Sequence, residues 1–70
     1  MRTYILYVHD DRYSAPTLDI VTVRDDLRAT EIAAKRLASS THYRVVEMWD
    51  ENEQLVCRID RSDLAQADDR

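Results

Sequence analysis

The chain contains no glycine, one proline, one cysteine and one lysine. Without glycine there is no Gly-rich loop, which excludes the phosphate-cradling loops of nucleotide-binding proteins. A single cysteine, Cys57, excludes an internal disulfide. No run of about 18 apolar residues exists, so no transmembrane helix is expected. The N-terminal stretch "MRTYILYVHDD" holds a short apolar run, but no small-residue cleavage site follows it, and the chain reads as cytoplasmic. An excess of basic charge is also missing: the formal net charge is −4, which disfavours nucleic acid as a partner. Nine of the ten basic residues are arginine, the residue suited to ion pairs and bidentate contacts.

Seventy residues make one domain at most. A chain this short buries only about 60% of its unfolded surface, so its stability is marginal. Small domains compensate with disulfides, metals or oligomerisation. Cys57 alone removes the first, no metal-ligand spacing supports the second, and oligomerisation is the expected device.

Period-two patterning and β-branched or aromatic residues place strands at residues 3–9 ("TYILYVH") and 18–23 ("LDIVTV"), joined by the polar loop "DDRYSAPT". The period then changes. Ala29, Ile32, Ala33, Arg36 and Leu37 form a helical stripe, with Asp25 or Asp26 as N-cap and Glu31–Lys35 as an i,i+4 pair. Strands at 42–49 ("HYRVVEMW") and 54–60 ("QLVCRID") follow, around the turn "DENE", where Asn52 is the expected left-handed residue. The expectation is an α+β fold: ββαββ, a four-stranded antiparallel sheet with one helix on one face. Residues 1–60 form the domain, and 61–70 ("RSDLAQADDR") a polar tail that frays.

One helix covers one face of such a sheet, yet the strands are apolar on both. A turn of even length sets Val46 and Met48 beside Leu55, Cys57 and Ile59 as a core row, and leaves Val45, Trp49 and Val56 outside with Glu47 and Arg58. A three-residue turn would put Glu47 in the core. In the first strand, Tyr4, Leu6 and Val8 lie opposite Ile5 and Tyr7. The expected binding surface is therefore Tyr43, Val45, Glu47, Trp49, Val56 and Arg58, with Tyr4 or Tyr7 added. Aromatics rimmed by Arg and Glu suit a homodimer interface or another protein partner. The bland alternative is that the aromatics lie flat on the sheet or are roofed by the tail.

Other chemistry is thinly supported. "HDD" at His9, Asp10 and Asp11 looks like a metal or acid–base cluster, but successive strand residues point to opposite faces. A small-ligand, metal or enzymatic role through His9, Asp10 and His42 is the first alternative, and nucleic-acid binding by a tyrosine- and tryptophan-bearing sheet the second. No cofactor, metal or catalytic residue is expected. Cys57 shares the parity of Leu55 and Ile59 and reads as a small core residue.

"TYILYVHDD", "RATEIAAKRLA" and "VVEMWDENEQLV" together resemble a class of small bacterial ββαββ proteins of unknown function. These have an aromatic first strand ending in Asp, an acidic second strand, an alanine-rich helix and a closing hairpin with an acidic turn. The resemblance implies the fold and nothing catalytic. Such proteins usually carry glycine in the closing turn, where Glu53 stands here.

Overall fold

The computed structural model describes residues 1–63. The elements are β1 (Arg2–Asp10), β2 (Thr17–Val23), α1 (Asp26–Ala38), β3 (Tyr43–Trp49) and β4 (Leu55–Asp60). They form the expected ββαββ layer: one open antiparallel sheet in the order β2-β1-β3-β4, with the helix between the second and third strands. Among the described residues no helix is long and apolar enough to cross a membrane.

The strand order dictates where the helix lies. β2 is an edge strand and β3 is central, so the connection between them must pass over β1. Alanine makes that passage close. Ala29, Ala33 and Leu37 are fully buried against Tyr4, Leu6, Val8, Val46 and Met48. Each large apolar side chain buried this way contributes about 1.5–3 kcal/mol. Asp25 caps the helix, its side chain accepting from the Arg28 N–H at 2.9 Å. Tyr4 donates its hydroxyl to Asp26 in the first turn, so the sheet is fastened to the helix start. On the helix surface Glu31 pairs with Arg28 at 3.1 Å, three residues earlier, rather than with Lys35.

The far end of the helix is held by Arg61. Its guanidinium donates to the carbonyls of Leu37 (2.8 Å), Ser40 (2.5 Å) and Tyr43 (2.7 Å). Those carbonyls lie at and just beyond the helix C-terminus, where a cation is favoured. The residue expected to begin a frayed tail is thus an anchor. The rest of that expectation, residues 64–70, lies outside the described residues.

The closing hairpin departs from the expected geometry twice, and the two departures compensate. Asp50 and Gln54 close a three-residue loop, with Asp50 N–H donating to the Gln54 carbonyl at 2.9 Å and Glu53 N–H to the Asp50 carbonyl at 3.1 Å. The left-handed residue is Glu53 (φ 61°), not Asn52. Asp50 stabilises the loop by accepting from Asn52 N–H and Gln54 N–H on one carboxylate oxygen. By itself the loop would turn Glu47 inward. A bulge between Trp49 and Met48 shifts the register by one, so that Met48 pairs with Cys57 and Val46 with Ile59. Val56 is the extra residue. It packs against the core, while Leu55 comes opposite Trp49 and is exposed. The expected sides of Leu55 and Val56 are therefore exchanged.

A second bulge does the same to Tyr43. β1 and β3 pair His9 with Val45 but Asp10 with Tyr43, and Tyr43 packs on the core side.

The open sheet face

The face away from the helix can be read as transverse rows, because residues paired across strands stand side by side. One row runs Ile20–Ile5–Trp49–Leu55 and crosses all four strands with apolar residues only. The next runs Leu18–Tyr7–Glu47–Arg58. His9, Val45 and Asp60 continue the surface on one side, and Thr3 and Thr22, with hydroxyls 3.3 Å apart, close it on the other. Ile20 is 70% exposed, Leu18 60% and Leu55 47%, so the ends of the apolar rows stand in water.

The six residues expected at this surface divide. Val45, Glu47, Trp49 and Arg58 are on it by register. Tyr43 and Val56 are not: both pack against the core, each displaced by a bulge. Of the two candidate tyrosines, Tyr4 is fully buried in the core and Tyr7 lies on the open face. Leu18, Ile20 and Leu55 join the surface. The first two were legible in the alternation of "TLDIVTV", where Asp19, Val21 and Val23 take the other side.

Charge sits on the second row. Glu47 lies 3.7 Å from His9 Nε2 and 3.9 Å from Arg58 Nε, and Arg58 also lies 3.9 Å from Asp60. At half-exposed positions such pairs contribute little energy. Ile5, Tyr7, Trp49, Glu47, Asp50 and Glu53 surround an open depression of about 410 Å³ near the hairpin loop.

The residues proposed for ligand chemistry are drawn into other contacts. His9 is on the open face beside Glu47. Asp10 is buried and gripped by Arg12, which donates Nε (3.0 Å), Nη2 (2.7 Å) and its backbone N–H (2.8 Å). That guanidinium holds the Asp10 carboxyl down at about 2. His42 pairs instead with Asp11, Nδ1 to Oδ1 at 3.1 Å, and Arg44 bonds the other Asp11 oxygen at 2.6 Å. Arg44 is the main cause that keeps Asp11 below the usual carboxylate range. β1 and β3 are neighbours, as a joint His9–His42 site would need, yet the two rings have different partners. Among the described residues no group of three His, Cys, Asp or Glu side chains is placed to hold a metal ion.

Cys57 lies under the helix on the core side, with Thr30 Oγ1 3.9 Å from Sγ. Burial pushes its thiol up. A thiol so placed is a poor nucleophile.

No protein-family model matches the chain, and no match was found among curated proteins or solved structures.

Proposed function

We propose that the protein is a non-enzymatic self-association module, and that two copies pack open face to open face. The observation that carries this reading is the apolar row Ile20–Ile5–Trp49–Leu55, which spans the sheet on the side that α1 does not cover. An aromatic pair (Tyr7 and Trp49), flanked by aliphatic side chains and rimmed by Glu47 and Arg58, has the make-up of an interface core with a polar edge.

Size supports a second copy as the occupant. The molecule is a slab of 33 × 31 × 17 Å. Its broad side can supply the ~800 Å² per partner of a standard interface. Charge supports it too. The face carries acid and base together, Glu47 beside Arg58, so it is complementary to itself under a two-fold axis. A face of one sign would require a different partner.

The test is Trp49→Glu. The fold persists, because Trp49 lies outside the buried cluster, and association weakens by roughly 100-fold, about 3 kcal/mol. Sedimentation equilibrium of the two proteins gives the comparison. A variant that unfolds, or that associates like the parent, contradicts the reading.

A further inference from the structure

Sheets of this kind have two edges, and the two are built differently. β4 is short, carries the bulge at Leu55–Val56, and presents Arg58 and Asp60. Bulges, short strands and charge are the devices by which edge strands avoid pairing with other chains. β2 carries no bulge and only one charge, and that charge is turned to the helix. Its register against β1 is unbroken from Thr17 to Val23. It holds no lysine, and Pro16 precedes the strand rather than interrupting it. Its single charge, Asp19, is tied to Arg36 of the helix. Among the described residues nothing pairs with its outer side. The strand's outward N–H and C=O groups are therefore available, beside Leu18 and Ile20, two of the most exposed large apolar residues.

We propose that β2 is a second, separate association surface: it pairs antiparallel with β2 of another copy, with the two-fold axis at Ile20, to make one continuous eight-stranded sheet. The register follows from the sequence of the strand. Ile20 is the middle residue of Thr17–Val23, so centring there pairs all seven residues. Ile20 then meets Ile20, Leu18 meets Thr22, and Asp19 meets Val21. Centring at Asp19 would set two carboxylates opposite each other, which destabilises a sheet. Antiparallel pairing about an axis normal to the sheet keeps both open faces on the same side. The apolar rows of the two copies join at Ile20 and become one row eight strands wide. This surface is distinct from the face-to-face contact. Used together, the two would give a closed dimer of dimers.

The geometry provides a test that the open face cannot mimic. In an antiparallel pair, residues directly opposite have Cα atoms about 4.5–5.5 Å apart, within disulfide range. Sheets stacked face to face are about 10 Å apart, beyond it. Ile20→Cys, in a Cys57→Ala background, should form a disulfide-linked dimer under mild oxidation, read on a non-reducing gel. Leu18→Cys is the control: the two copies of residue 18 lie about 14 Å apart in this register and should stay unlinked. The proposal is overturned if Ile20→Cys does not cross-link, or if both variants cross-link equally, as random collision would give. The same cross-link should persist when Trp49→Glu is added. Its loss there would make the contact a by-product of face association and sink the edge proposal. Failure of the face reading shows separately, as an unchanged mass for Trp49→Glu.

Discussion

Glu53 holds a backbone conformation that a residue with a Cβ adopts at a cost, φ 61° in the last position of a three-residue loop. Glycine would occupy it freely. Glu53→Gly is therefore expected to stabilise the protein by about 1 kcal/mol, less than the full left-handed penalty because glycine also gains freedom in the unfolded chain. Urea denaturation checks this, and an unchanged or lower midpoint contradicts it. Reading the residues alone favoured Asn52, since asparagine tolerates the left-handed region best. Loop closure by Asp50 overrides that preference.

Asp10 gives a prediction of the same scale with a definite sign. Arg12 lowers its pKa from 3.8 to about 2. A carboxylate depressed on folding stabilises the native state above its unfolded pKa. That contribution is lost as pH falls from about 4 through 2. Asp11 and Asp60 are lowered as well and act in the same direction. Asp10→Asn should reduce the melting temperature at neutral pH and make its decline between pH 5 and pH 2 shallower. A decline as steep as the parent's would mean that other carboxylates carry the acid sensitivity. Leu55, Val56 and Tyr43 mark where reading by residue ends. Period-two patterning assigns sides correctly until a bulge inserts one residue, and a bulge leaves no mark in the alternation.

At the scale of elements the sequence was most informative. Every strand and the helix are found within about one residue of the expected bounds. Their signals are local: alternation in "TYILYVH", the four-residue spacing of Ala29, Ala33 and Leu37, and an aspartate before the helix. Arg61 was not legible, because its partners are carbonyls brought to it by tertiary structure. It satisfies Leu37, Ser40 and Tyr43 at once. Arg61→Met keeps the apolar stem and removes the donors. A loss of about 2 kcal/mol is expected, the magnitude for hydrogen bonds from a charged group together with carbonyls left without partners. Hydrogen exchange should show the last turn of α1 opening first. Full retention of protection there would show that the helix end is held by packing alone.

The described residues form a two-layer slab, with one sheet face buried under the helix and an open face whose Leu18, Ile20 and Leu55 stand in water. That asymmetry was visible in the sequence as too few helical residues for the apolar residues to be covered. The strand order was not. Nothing local distinguishes an edge from a centre, and it is the placing of β2 at the edge that leaves Ile20 and Leu18 exposed. The membership of the surface changed for two reasons: bulges took Tyr43 and Val56 off it and put Leu55 on it, and β2 added Leu18 and Ile20. The row built around Trp49 and Ile5 carries the account. Its most direct test is the solution mass of the wild-type chain by sedimentation equilibrium from low to high micromolar concentration. Association through the open face predicts a mass that rises to at least twice the 8.2 kDa of one chain and falls on dilution. A mass of one chain at every concentration would contradict it.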